Sequence, residues 1–183
     1  MSISMAILVE LSAGQHVSLA APSDLLAIVQ IYNQSIDSKV ATADLRPVTV
    51  AMRQKWFDAH ASDSKRPIYV VKNEAGALMA WGSFSNLYDR PAYHISSEIS
   101  IYVATEYQRQ GLAKRLATWM LTQAPQLGIN NVVALVFGHN MASLALFAQL
   151  GFSEWGRMPQ VCDMEGFIAD VVMLGKAVHP ANH

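Results

Sequence analysis

A run of strict two-residue alternation, His94-Ile-Ser-Ser-Glu-Ile-Ser-Ile-Tyr-Val103, constrains this 183-residue chain more than any other stretch. On an extended backbone Ile95, Ile99, Ile101 and Val103 face one way, and Ser96, Glu98, Ser100 and Tyr102 the other. The polar turn Tyr107-Gln-Arg-Gln-Gly-Leu-Ala113 follows, and helical spacing then begins, with Leu112, Leu116 and Met120 in register and Gly128 as a natural stop. A strand delivered straight into a helix implies an α/β chain.

The remaining segments fit that class. "HVSLAA" reads as a short strand, and Ser23 or Asp24 can cap a helix carrying Leu25, Ile28, Val29 and Tyr32 on one face. Thr49 caps a second helix with Met52, Trp56 and Phe57, and residues 67–86 read as a hairpin turned at Glu74-Ala75-Gly76. "NNVVALVF" suits a strand buried on both faces, a short helix runs from near Asn140 to Gly151, and "FSEWGRM" and "IADVVMLG" suggest two last strands. The expected order is β-α-α-β-β-β-α-β-α-β-β around a mixed sheet. No repeat or linker divides the chain, so residues 1–183 are expected to form one domain with its core at about 17–175. Residues 1–15 read as an added strand or arm, and 176–183 as a loose tail.

Composition removes several functional classes. A net charge of −1 argues against a general nucleic-acid binder. One cysteine, Cys162, allows neither an intrachain disulfide nor a cysteine-rich zinc site, and His60, His139 and the terminal histidines lack ligand spacing, so no metal is expected. The N-terminal apolar patch has no basic region before it and is interrupted by Glu10, which fits neither a signal peptide nor a membrane span. The expected compartment is the cytoplasm.

The turn at 107–113 has two readings. A helix that starts beside a strand offers unpaired N–H groups and the positive end of its dipole, a ready site for phosphate if no side chain blocks it. Gly111 and Ala113 would clear the approach, and Gln108, Arg109 and Lys114 would add donors or charge. Alternatively, the glycine serves the turn alone. The pattern is neither a Walker A motif nor GxGxxG.

Gln108-x-x-Gly111-x-Ala113 resembles the Gln/Arg-x-x-Gly-x-Gly/Ala loop of the GCN5-related N-acetyltransferases, and Asn140, Ser143, Phe147, Gly151 and Phe152 match a second segment of that superfamily. "IYNQSI", Trp56-Phe57, "WGSF", "RPAY" and "SEISIYV" are similar to its phosphinothricin and methionine-sulfoximine branch, over residues 17 to 175. The resemblance implies a mostly antiparallel sheet flanked by helices, acetyl-coenzyme A as co-substrate and a homodimer. It places the diphosphate on Gln108, Arg109, Gln110, Gly111, Leu112, Ala113 and Lys114. Ile101, Tyr102 and Val103 then lie along the pantetheine, with Asn140, Ser143 and Phe147 also against the cofactor.

Attack of an amine on a thioester needs a base, and Glu98 matches the superfamily's glutamate; the alternative is a surface carboxylate on a half-exposed strand. The Val103 N–H would donate to the thioester oxygen. Asn140 can cap the helix at Met141, contact coenzyme A, or do both. Phe147 departs from the usual tyrosine or histidine and cannot donate a proton. Its role reads as packing, and the departing thiolate would go unassisted or be served by water or Tyr102. Arg90, Tyr93 and His94 are the candidates for holding a small amino acid, with Thr42 and Arg46 weaker ones from the loop after the first helix; solvated loop residues are the alternative. Phosphinothricin leads the expected substrates, followed by methionine sulfoximine or sulfone. Cys162 lies far from the loop in sequence, so direct attack in a ternary complex is expected. The rivals are an acetyltransferase for a polyamine or a protein N-terminus, and a non-catalytic acetyl-coenzyme A-binding module.

Overall fold

A short hairpin sets the first edge of the sheet. In the computed structural model, which describes residues 9–178, Val9–Ser12 (β1) pairs antiparallel with Gln15–Leu19 (β2). Residues 1–15 therefore contribute strand from Val9 onward, while 1–8 lie outside the described residues. A turn at Pro22–Asp24 leads into Leu25–Gln34 (α1). Asp24 does not cap α1 with its side chain: its carboxylate reaches back to the Ala21 N–H at 2.9 Å and pairs with Lys72 at 2.7 Å. Thr49 does cap Val50–Ser62 (α2), accepting from the Met52 N–H. Phe57 is buried from α2 and Trp56 packs beside it, whereas Met52 points to solvent.

Ile68–Asn73 (β3) and Leu78–Asn86 (β4) form the central hairpin, followed by Ser96–Val103 (β5). Ile95 falls in a 3-10 turn, Pro91–Ile95, rather than in the strand. The vacant place in the isoleucine row belongs to Ser97, fully buried, whose hydroxyl donates to the Ser85 carbonyl at 2.7 Å. That bond satisfies a polar group which would otherwise be costly on an apolar face. Leu112–Gln123 (α3), Asn131–Phe137 (β6), Met141–Gln149 (α4), Ser153–Asp163 (β7) and Ile168–Ala177 (β8) complete the order. The end of the chain is not loose from residue 176. Lys176 lies in β8 and donates to the Leu150 carbonyl, and the Val178 N–H binds Asn130; residues 179–183 lie outside the described residues.

The eight strands among the described residues run in the spatial order β1-β2-β3-β4-β5-β6-β8-β7. Neighbours are antiparallel except β5 and β6. That parallel pair needs a crossover, and α3 supplies it. Two large apolar clusters form, one on each side of the sheet, and a small third one gathers Phe137, Met164 and Ala169. Ile99, Ile101 and Val103 of β5 join α3 and Phe147 of α4; Tyr102 joins α1 and α2 through Tyr32, Trp81 and Phe57. The face that reads as polar in the sequence is therefore covered. Gly82 lets α3 close onto β4, since a Cβ there would meet Met120 Sδ at 2.6 Å and the Ser100 carbonyl at 3.0 Å.

Candidate active site

β5 and β6 pair only where Ser96, Ser97 and Glu98 face Asn131, Val132 and Val133. Beyond Glu98 they part, although β5 stays paired with β4 to Val103 and β6 with β8 to Phe137. Leu135, expected to be buried, is consequently 40% exposed at the gap. The Ala104 N–H donates toward β4, to the Met79 carbonyl. Because strand residues alternate direction, the N–H and C=O of Ile101 and Val103 face the gap. The Val103 carbonyl already accepts from Gln108 Nε2 at 3.3 Å. A cleft of about 450 Å³ opens in this gap and reaches both faces of the sheet.

Glu98 stands where the strands diverge and, among the described residues, is the only charged one lining the cleft. Burial alone pushes its carboxyl above the usual range, with no charge or hydrogen bond contributing. Tyr102 also lines the cleft, stacked on Trp81 at 4.7 Å and set edge-on to Tyr32. Burial, foremost, pushes its hydroxyl well above the usual range, which fits a ring that keeps its proton. Phe147 is buried against Phe152 on the opposite face and reaches the cleft from α4.

The turn before α3 separates the two small residues. Gly111 caps α3 at φ +74°, a left-handed conformation that disfavours a side chain. Ala113 lines the cleft. Arg109 is also left-handed, at φ 57°, and Gln108, Arg109 and Gln110 are exposed. Leu112 is buried in the core, which leaves only its backbone for a ligand. Lys114 extends to Gln149 on α4. Arg115, which sequence reasoning passed over, braces the turn: it donates to the Gln110 carbonyl and to Gln15 of β2. A basic residue in a first helical turn gives no local hint of that task.

Asn140 is buried and fully engaged on one side. Its Oδ1 accepts from the Ser143 N–H at 3.0 Å, and its Nδ2 donates to the Val40 carbonyl at 3.1 Å. It thus caps α4 and ties down the α1–α2 loop, while Asn140 and Ser143 both line the cleft.

That loop brings Val40 to Ala43 to the cleft. Thr42 is buried there, with Oγ1 2.6 Å from the Tyr32 hydroxyl. Tyr32 in turn donates to Asp44, and Arg53 lies over the Tyr32 ring at 4.2 Å. Tyr32, Asp44 and Arg53 carry no spacing signal, because the loop folds back on the helix through long-range contacts. Arg46 instead pairs with Glu165 at the surface. Arg90, Tyr93 and His94 are exposed and do not line the cleft; Tyr93 packs on Tyr88, and His94 Nδ1 contacts the Pro91 carbonyl. Cys162, distant in sequence, does line it, beside Met158, Val161 and Val171. Among the described residues no cluster of three His, Cys, Asp or Glu could hold a metal ion, and no helix is long and apolar enough to cross a membrane.

This architecture is shared by proteins of known family. YwnH of Bacillus subtilis, a candidate phosphinothricin acetyltransferase, is 43% identical over 158 residues, covering 86% of this chain and 96% of YwnH. An L-methionine sulfoximine/L-methionine sulfone acetyltransferase of Pseudomonas paraeruginosa is 31% identical over 161 residues, covering 88% of this chain and 93% of that protein. A crystal structure of a GNAT superfamily phosphinothricin acetyltransferase from Sinorhizobium meliloti, in complex with acetyl-coenzyme A, superposes with a TM-score of 0.84 at 27% identity, over 90% of this chain and 88% of that one. The model of the acetyltransferase (GNAT) family matches residues 28–152, a span that holds the parted strands, the turn at Gly111 and the Asn140 cap. The chain is an acetyltransferase and belongs to the GNAT family.

Proposed function

We propose that the protein moves the acetyl group of acetyl-coenzyme A to the α-amino group of a small amino acid with a neutral, methionine-like side chain, by direct attack in a ternary complex. The observation that carries this reading is the lining of the cleft: among the described residues Glu98 is its only charge, and the walls include Val40, Leu135, Met158, Val161 and Val171. A neutral sulfone or sulfoximine suits such walls better than a second anion, whose burial without a counter-charge is costly. Methionine sulfone and sulfoximine therefore rank ahead of phosphinothricin. A polyamine, with several cations, would meet a single carboxylate.

The residues fit acetyl-coenzyme A on two grounds. The gap-facing backbone of Ile101 and Val103 offers an extended chain a strand to pair with, and the first N–H groups of α3 lie beside Ala113 for a diphosphate. Acetyl-coenzyme A brings an activated thioester carbonyl. Ile101, rather than Val103, is the better donor to its oxygen. At a rise of roughly 3.3 Å per residue, Val103 lies about 16 Å along the strand from Glu98, and Ile101 about 10 Å. A glutamate side chain with one bridging water spans the shorter interval. Glu98 takes the ammonium proton through that water, and its raised carboxyl is the stronger base for being buried. The thiolate leaves without a protein acid, since Phe147 has none to give and Tyr102 stacks on Trp81 on the other face.

A homodimer is part of the proposal. Trp155, Phe167 and Ile168, all exposed on the β7–β8 hairpin, give it apolar surface suited to a second copy, and Val161, exposed on the same hairpin, also lines the cleft. The deciding experiment measures coenzyme A release with methionine sulfone, methionine sulfoximine, phosphinothricin, spermidine and a short peptide. The highest kcat/KM is expected with the sulfone or sulfoximine; a preference for spermidine or the peptide would overturn the assignment.

A further inference from the structure

An amine positioned for attack presents several N–H donors, and Glu98 can serve only one of them, at a distance. A second N–H calls for a second acceptor in the cleft. Its remaining polar side chains are Thr42, Ser100, Tyr102, Asn140 and Ser143. Asn140 spends its oxygen on the Ser143 N–H, and Tyr102 is held flat against Trp81.

Thr42 has a defined polarity. An ionised carboxylate only accepts hydrogen bonds, so the Tyr32 hydroxyl must spend its single hydrogen on Asp44. Burial, and then the bond to Asp44, push the Tyr32 hydroxyl up, which keeps that hydrogen in place. The contact of 2.6 Å between Tyr32 and Thr42 is consequently donated by Thr42. Arg53, over the Tyr32 ring and 3.5 Å from Asp44, holds the carboxylate in position. Its oxygen also accepts from the Asp44 N–H at 3.2 Å, so with its hydrogen committed Thr42 Oγ1 has one lone pair left and can meet anything further only as an acceptor. Thr42 is buried at the wall of the cleft, and Tyr32 packs edge-on against Tyr102, the neighbour of Ile101.

We propose that Thr42 Oγ1 is the acceptor that holds the substrate's amine facing the thioester, and that Asp44, acting through Tyr32, is the positioning residue that makes Thr42 accept rather than donate. The proposal rests on the amino-acid reading above and adds a selection rule. The site favours a nucleophile with more than one N–H over one with a single O–H.

The test compares Thr42→Val, Thr42→Ser and Tyr32→Phe in the full chain, with methionine sulfone as substrate and its 2-hydroxy acid analogue as competitive inhibitor. Thr42→Val is expected to raise the KM for the amino acid about tenfold, while acetyl-coenzyme A affinity and the Ki of the hydroxy analogue stay within about twofold. Thr42→Ser should restore the KM. Tyr32→Phe, which frees the Thr42 hydrogen, should raise it several-fold, again without moving the hydroxy analogue's Ki; this variant decides the matter if Thr42→Val does not fold. An unchanged KM, or a KM and Ki that rise together as a general loss of structure would cause, overturns the proposal. A wild-type enzyme that acetylates no amino acid would overturn the substrate class and this proposal with it, whereas an active wild type with those constants overturns this proposal alone.

Discussion

At the scale of single residues, Glu98 puts activity and stability in opposition. Its carboxyl holds a proton to higher pH in the folded chain than in the unfolded one, because burial disfavours the charge. Between the two pKa values the folded state binds more protons, so stability falls as pH rises through that window and the full cost remains above it. Glu98→Gln should therefore be as stable as the parent or more so at pH 7 by thermal melting, with the advantage gone in acid below the ordinary glutamate range. Turnover should move the other way, falling roughly 10²–10⁴-fold at pH 7 with little change in acetyl-coenzyme A affinity. In the parent, the acid limb of kcat/KM should lie above the usual carboxylate range; in the variant that limb should vanish and the residual rate climb with pH as the amine loses its proton. Near-normal turnover of the variant at pH 7 would remove Glu98 from catalysis. The alternation of the strand made Glu98 conspicuous in the sequence. Its burial was not legible there, since the face it shares with Tyr102 is covered by Tyr32 of α1 and Phe57 of α2 packed with Trp81 of β4, residues far apart in the chain.

At the scale of elements, the turn into α3 divides between conformation and access. Gly111 needs its left-handed φ, and a Cβ there would meet only Arg115 Nη1 at 3.1 Å, the atom that braces the turn through the Gln110 carbonyl. Gly111→Val should cost about 1–2 kcal/mol in folding stability by strain, besides weakening acetyl-coenzyme A at least about tenfold, or ~1.4 kcal/mol. Ala113→Leu is the cleaner probe. It leaves helical backbone alone and fills the cleft, so calorimetry should show a comparable loss of affinity with thermal stability within about 0.5 kcal/mol. Full affinity in Ala113→Leu would detach the turn from the co-substrate. Both small residues stood out in the sequence because a strand-to-helix junction leaves few alternatives. The α1–α2 loop did not, since its place comes from Asn140 holding Val40 and from Lys39 donating to the Met164 and Glu165 carbonyls, contacts that span 100 residues or more.

At the scale of the whole molecule, β7 is an edge strand whose outer side is managed rather than smooth. Its register with β8 shifts between Met158 and Cys162, around Pro159 and a left-handed Gln160. Proline and a bulge both discourage another strand from adding to an edge. Association is thus expected across the apolar patch and not by continuation of the sheet. Sedimentation at micromolar concentration should give a dimer, and Ile168→Asp with Phe167→Ser should give a folded monomer; a monomeric parent would exclude the pairing. Exposed residues scattered over a hairpin do not reveal a patch until the hairpin closes, which is why the sequence supported the dimer by resemblance alone.

The parted strands also invert the usual map of protection. In most sheets the centre resists solvent and the edges fray, yet here the interior strand β5 is solvent-facing along its lower half, the side toward β6. The amides of Ile101 and Val103 should trade their hydrogens for deuterium as readily as those of an edge strand, while Tyr102 between them stays slow. Acetyl-coenzyme A should silence those two amides together, so that the co-substrate is read out as the missing strand of a sheet that the protein leaves unfinished.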